Sequence, residues 1–285
     1  MFYLIQLLNA VQYGLLLFLL SSGLTLIFGI MGVINLEHGS FYMVGAYLAY
    51  WFAKHTGSLW LAMPIAAVIA FAIGLLLETT LVRHLYKRDH LYQVLLTFGL
   101  ILVFEELRSI FFGDEVHGVT MPKLLDYSIP LTDTLSYPVY RLFVTLVCLA
   151  IASLLYFVIH KTRVGMMIRA GNSNREMAAS LGINIPLLFA LVFAFGMALA
   201  ALAGAFAAPI SSVYPGMGNQ ILIICFVVVV IGGIGSINGA LIASIAVGLA
   251  DTVGKVVAAE FSSVAVYLVM AAILLWRPQG IANRV

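Results

Sequence analysis

The chain carries very little charge. Of its 285 residues only 9% are Asp, Glu, Lys or Arg, while 63% are hydrophobic, and the mean hydropathy is +1.11. Soluble domains carry about 25% charged residues, so a water-soluble fold is excluded and the chain reads as an integral membrane protein. It has two cysteines, Cys148 and Cys225, each alone inside an apolar run. They imply no disulfide framework and read as small buried hydrophobes. The six histidines (His38, His55, His84, His90, His117 and His160) are scattered without metal-ligand spacing, so no metal site and no cofactor are expected. The apolar runs also lack the period-two alternation of barrel strands, which excludes a transmembrane barrel and leaves helices to satisfy the backbone in lipid.

Nucleotide chemistry is missing as well. The nearest approach to a phosphate loop is "GLADTVGKV", residues 248–256, in which the Gly248 to Gly254 interval is one residue too long. Val256 also stands where a magnesium-binding Ser or Thr belongs. "IGGIGSING" is rich in glycine but lacks dinucleotide-binding spacing and follows no strand. The chain is therefore expected not to be an enzyme, and any ATP hydrolysis must come from other subunits. No nucleic-acid partner is expected. Few charges lie inside the helices, which argues against a proton-relay transporter driven by an ion gradient. An intramembrane enzyme would need paired acid, base or metal ligands at depth, and none is visible.

What is present is a series of long apolar runs. A membrane helix needs about 20 apolar residues to cross a hydrocarbon core of about 30 Å, and the runs predict nine helices, at 5–33, 39–53, 59–82, 91–112, 139–159, 187–208, 219–235, 239–257 and 263–276. The expected fold is all-α, a polytopic membrane protein with about nine spans (eight to ten) forming a single permease domain over 1–285. The first run is longer than one straight span and can bend or split. It is expected to remain as a membrane helix, since no basic residue or small-residue cleavage site marks it as a removable signal.

The basic residues set the orientation. Nine of the fourteen Lys and Arg residues fall in three places: Arg83, Lys87 and Arg88; Lys161, Arg163, Arg169 and Arg175; Arg277 and Arg284. By the positive-inside rule these segments face the cytoplasm, which with nine helices gives an external N-terminus and a cytoplasmic C-terminus. The longest external segment, 113–138, with four acidic residues and three prolines, suits a surface loop. In the long internal segment, 160–186, Met177, Leu181 and Ile183 can share one face of a short helix, with Asn174 as N-cap and Gly182 as stop. Such a helix suits docking to a partner, or rest on membrane lipid.

Within the helices, Glu105 and Arg108 are spaced to pair on one face. Glu78 and Asp251 lie nearer helix ends and read as solvated or snorkelling. Gly196, Ala200, Gly204 and Ala208 recur every four residues and predict a close helix contact. The segment "GVINLEHGS", residues 32–40, interrupts the apolar pattern with Asn35, Glu37 and His38. A second interruption matches it at constant offset: Gly29, Gly32, Ile34, Asn35 and Gly45 recur as Gly232, Gly235, Ile237, Asn238 and Gly248. Broken helices expose backbone groups to a solute at depth. The substrate-path candidates are Asn35, Glu37, His38, Thr97 and Asn238, although Asn35 and Asn238 equally suit helix capping.

Three ordered blocks, "GLTLIFGIMGVINLEHGSFYMVGAYLAY", "RAGNSNREMAASLGINIPLLFALVFAFGMALAALAG" and "VVIGGIGSINGALIASIAVGLAD", resemble the membrane subunits of branched-chain amino acid ABC importers, the LivH/LivM type. The short N-terminus is more similar to LivH. The resemblance implies a bacterial inner-membrane permease for branched-chain or other hydrophobic amino acids. It also implies as partners a second permease subunit (a LivM-like homologue or a second copy), two cytoplasmic ATP-binding subunits and a periplasmic solute-binding protein. Related permeases carry urea, amides or aromatic acids, so these remain alternative solutes. "EMAASLG" is similar to the family's ATPase-coupling signature, with Met177 at its second position. This points to Arg175, Glu176, Ala178, Ala179 and Gly182 as coupling residues. The sequence departs from the family at Glu37, where a small or apolar residue is usual, and at Ser40, where an acid is common.

Overall fold

A computed structural model describes residues 2–86, 88–132, 135–257 and 262–282. Lys87, Asp133 and Arg284, which the charge argument counts, lie outside the described residues. The described chain forms eleven α-helices: α1 Phe2–Met31, α2 His38–Thr56, α3 Leu59–Thr80, α4 His90–Phe112, α5 Val139–Lys161, α6 Arg163–Ser173, α7 Arg175–Ser180, α8 Ile185–Ser211, α9 Met217–Gly232, α10 Ile237–Val257 and α11 Ser262–Trp276. Nine of these correspond to the expected spans, so the protein is a polytopic, all-helical membrane protein. Five (α1, α3, α5, α8 and α10) are long and apolar enough to cross a bilayer by length and composition alone, and α9 and α11 are shorter apolar helices.

The first apolar run is one continuous helix of 30 residues. Two elements were not anticipated. Between α4 and α5 the chain forms a hairpin, β1 Ser128–Thr132 antiparallel to β2 Leu135–Pro138, whose strands are too short and proline-marked to read from sequence. The internal segment holds two helices rather than one. In α6 the buried positions are Gly165, Ile168 and Gly171, and the two glycines hide the apolar face that would reveal a helix.

Helices α1, α2 and α8 form the centre. The small-residue stripe of α8 is the reason they pack so closely: a Cβ on Gly204 would stand 1.9 Å from Tyr42 O on α2, and one on Gly45 would stand 2.0 Å from Ala201 O on α8. No side chain fits between these backbones, as expected where lipid supplies no hydrophobic drive and small residues permit close approach. Cys148 and Cys225 are fully buried and free, as expected.

The three basic segments meet at one end of the bundle. Tyr86 packs edge-on to Phe189 at the start of α8, with ring centroids 5.3 Å apart. The Arg175 guanidinium lies over the same Phe189 ring, and Ile281 N donates to Ile231 O at 2.9 Å. The other end carries the long loop after α4, where His117 and Val213 exchange backbone hydrogen bonds of 2.8 Å.

Two carboxylates differ from the expectation of solvation. Glu78 is completely buried, accepting hydrogen bonds from the Tyr86 hydroxyl and, at 3.3 Å, from Arg83. Asp251 is 8% exposed and pairs with Lys255 at 2.6 Å. Both have partners from one to two turns further along the chain, which lets a charge near a helix end be covered rather than hydrated. The expected Glu105–Arg108 pair is present at 3.2 Å, and Arg108 also reaches Asp114 at 2.9 Å.

Candidate functional site

After Met31 the chain neither leaves the bundle in an exposed loop nor continues as a helix. Gly32 adopts a left-handed φ of 63°, and residues 32–37 turn back along α1. The return is measured by His38, whose Nε2 lies 2.9 Å from Leu20 O. Leu20 is about 16 Å from Met31 along a helix rising 1.5 Å per residue, so α2 starts part-way across the bundle. A non-helical segment at that depth survives only where protein or a water-filled cavity surrounds it. Asn35, Glu37 and His38 are all fully buried.

These groups are under-satisfied. Asn35 Oδ1 accepts from Glu37 N at 3.1 Å, an Asx turn that shapes the return. Glu37 occupies the N-cap position of α2 without a side-chain cap bond, while its carbonyl accepts from Ser40 N at 2.8 Å. Among the described residues, Asn35 Nδ2, both carboxylate oxygens of Glu37, His38 Nδ1 and Thr25 Oγ1 have no hydrogen-bond partner. Each unpaired buried group costs about 1–3 kcal/mol, more when charged. The positive end of α2 offsets part of that for Glu37. Such a concentration of unmet polar atoms on a broken helix can receive a polar solute.

The second interruption sits against the first. A Cβ on Gly29 would fall 2.5 Å from the Cα of Gly235, so the two glycine-rich breaks touch at the end of α1. Asn238 lies in the first turn of α10, and Ser236 rather than Asn238 caps that helix, its Oγ accepting from Gly239 N at 3.1 Å. Asn238 instead lines a cavity of about 230 Å³ with Thr25, Gly29, Arg169, Asn172 and Ser236 among its walls. A second cavity, of about 350 Å³, opens towards the opposite end and is lined on α1 by Gln12, Tyr13, Leu16, Leu17 and Leu20. Residues 21–24 of α1, with His38 against Leu20, separate the two levels. Thr97 is buried on α4 but lines neither cavity, and its hydroxyl bonds to Gln93 O of its own helix at 2.9 Å. Thr25 and Asn172 carry no sequence signal of their own, and Arg169 signals only a basic segment, since only the packing of α6 near the end of α1 brings the three to one cavity.

The internal segment is built as its capping pattern predicts. Asn174 Oδ1 accepts from Met177 N at 2.9 Å to start α7, and Gly182, at a φ of 87°, ends it. Ala178 is buried at 2%, whereas Met177 and Leu181 are 64% and 77% exposed. Glu176 and Ala179 are also exposed. Arg175 turns the other way: its Nη2 donates to Ile30 O at 3.1 Å and to Met31 O at 2.7 Å. It thereby satisfies carbonyls that the end of α1 leaves open.

Residues 6–275 match the family model described as branched-chain amino acid transport system / permease component. The high-affinity branched-chain amino acid transport system permease protein BraD of Pseudomonas aeruginosa is 28% identical over 297 residues, which cover 99% of this chain and 96% of BraD. The corresponding LivH protein of Escherichia coli is 29% identical over 300 residues, covering 100% and 96%. The LivM protein of the same organism is 28% identical over 291 residues, covering 92% of this chain and 67% of LivM. No solved structure matches the chain.

Proposed function

The chain belongs to the family of branched-chain amino acid transport system permease components and is a multi-pass membrane permease subunit, and from that premise we propose that it serves an ATP-driven importer in a bacterial inner membrane. Its solute is a branched-chain or other small hydrophobic amino acid, as the names of BraD and LivH suggest. The three basic segments face the cytoplasm, where α7, within a coupling segment spanning 160–186, docks on an ATP-binding subunit. A LivM-like homologue or a second copy completes the permease pair, and a periplasmic binding protein delivers the solute.

The observation that carries this reading is the two-sided construction of α7. Met177 and Leu181 present an unpartnered apolar face outward, as a helix seated in a partner's groove requires. Arg175 ties the same helix to the end of α1 and to the Phe189 ring, 5.1 Å from its guanidinium carbon. A displacement of α7 therefore pulls on the residues where the chain turns back towards Asn35, Glu37 and His38, a rigid-body transmission from partner to path. Arg175, Glu176, Ala178, Ala179 and Gly182 form the coupling element, and Asn35, Glu37, His38, Asn238 and Thr97 contribute to the solute path.

The test is copurification in mild detergent followed by uptake in vesicles. Met177→Glu and Leu181→Glu leave the buried side of α7 intact, so the permease should still reach the membrane in normal amount. The proposal expects both variants to lose the ATP-binding subunit and solute uptake together. It is overturned if the unaltered permease brings down no ATPase, or if its uptake collapses with the ion gradient and not with ATP depletion.

A further inference from the structure

The larger of these two cavities, lined by α1, α2, α8, α9 and α10, is built mostly of groups that the path assigned above does not use. Asp251 and Lys255 form an ion pair on its α10 wall, and the Lys255 ammonium lies 5.3 Å from the centre of the Tyr13 ring. Gln12 and Tyr42 are buried at 4% and 7% exposure. Both line the cavity and bring an amide and a hydroxyl to its wall. The remaining wall combines aliphatic groups, Leu16 and Leu20 of α1 and Ile221 and Ile224 of α9 among them, with Ser211, Tyr214 and Gln220, of which the Tyr214 hydroxyl donates to Gln220 Oε1 at 2.9 Å. At about 350 Å³ the space falls within the range of about 300–1,000 Å³ that holds small molecules, and it has their usual lining of apolar walls with a few convergent polar groups.

We propose that this cavity is a docking site for a small zwitterion carrying a primary ammonium beside a carboxylate and an aliphatic side chain. This rests on the amino-acid permease reading and deepens it by adding a site ahead of the buried cluster at Asn35, Glu37 and His38. The Asp251 carboxylate takes the ammonium, with the Tyr42 hydroxyl as a second acceptor. Lys255, which is 59% exposed at its side chain and so marks the mouth, and the Gln12 amide take the carboxylate. The ion pair is what makes the site suitable for a zwitterion. With no solute present Asp251 and Lys255 neutralise each other, and a zwitterion offers each an opposite charge without leaving either bare. The aliphatic wall holds the side chain. Leu20 and Tyr42 form the inner limit of the cavity, and Leu20 is the residue whose carbonyl contacts His38. A solute leaving this site therefore arrives beside the break.

The same chemistry exists in a phosphatidylethanolamine headgroup, so the experiment has an arm for each source. The full permease complex, in nanodiscs of phosphatidylcholine and phosphatidylglycerol, is titrated with L-leucine, with isopentylamine, which lacks the carboxylate, and with N-acetylleucine, which lacks the ammonium. The unaltered protein is expected to bind leucine most tightly. Asp251→Asn should weaken leucine and isopentylamine alike, by about tenfold or more, the loss expected for one charge-assisted contact. Lys255→Gln should weaken leucine and spare isopentylamine, and Tyr42→Phe, which removes only an oxygen, guards against a folding artefact. The assignment is overturned if both charge variants bind leucine normally, or if phosphatidylethanolamine displaces leucine and becomes the tighter ligand. Variants that abolish docking but leave ATP-driven leucine uptake unchanged sink this site alone. Absence of such uptake in the unaltered complex sinks the underlying permease reading instead.

Discussion

The guanidinium of Arg175 donates a 2.7 Å hydrogen bond to the carbonyl oxygen of Met31, joining the first residue of α7 to the last residue of α1 across more than half of the sequence. The contact satisfies an open helix end and places a fixed link between an exposed short helix and the point where the chain reverses. A lysine there keeps the charge but loses the longer, rigid guanidinium whose Nη2 reaches both carbonyls.

Arg175→Lys and Arg175→Ala are expected to separate hydrolysis from transport. In a reconstituted complex ATP turnover should persist while solute uptake falls by about tenfold, the effect of losing about 1.4 kcal/mol of coupling. Parallel assays of phosphate release and uptake decide it: a proportional fall in both would show that Arg175 only stabilises the fold.

Among the described residues neither fully buried carboxylate oxygen of Glu37 has a partner, so removing them should not destabilise the protein. Glu37→Gln and Glu37→Ala are expected to unfold thermally at the same or a higher temperature than the unaltered chain, while uptake falls or changes preference among amino acids. Thermal unfolding in detergent and competition uptake measure the two effects. A large loss of stability would instead show that the carboxylate has a partner in the fold.

The α2–α8 crossing predicts a sharp contrast between glycines. Gly45→Ala and Gly204→Ala would drive a methyl to within 2.0 Å and 1.9 Å of backbone oxygens, and overpacking of this kind costs about 1–3 kcal/mol or more. Both should lower the amount of folded protein sharply. Gly99→Ala meets nothing within 4 Å and lies inside α4, so it should be neutral or stabilising by about 1 kcal/mol from helix propensity. Size-exclusion profiles with fluorescent fusions compare the three directly.

Tyr86→Phe removes the hydroxyl that donates to Glu78, leaving that buried carboxylate with Arg83 alone. The expected cost is about 1–3 kcal/mol of stability. In the Tyr86→Phe background, Glu78→Gln should recover part of it, because an uncharged amide is cheaper to leave under-bonded. A double-mutant cycle of melting temperatures tests this, and strict additivity would contradict the pairing.

Much of the architecture was legible because lipid imposes a simple rule: long apolar runs must be helices. All nine expected spans overlap observed helices, and the ends of α7 were readable because Asn174 and Gly182 use local backbone chemistry. The positions of Glu78 and Asp251 were misjudged for the opposite reason. Their partners are Tyr86 and Arg83, and Lys255, and whether a carboxylate near a helix end meets water or a side chain depends on how the following turn folds. The hairpin at β1 and β2 and the glycine-masked helix α6 were missed because short strands and helices with glycine faces leave little periodic signal.

By itself the sequence determined the class of protein, the positions of the apolar helices, the caps of α7 and the polar interruption at 32–40, since each follows from composition, period or capping within one stretch of chain. Only the tertiary structure decided that the interruption doubles back along α1 to bring His38 to Leu20, that Gly29 and Gly235 touch, and that Arg175 holds Met31. It also decided that Gln12, Tyr42, Asp251 and Lys255 share one cavity. These relationships join residues far apart in the chain, and they arise from the close approach of helix backbones that small residues permit, a distance that no local pattern encodes.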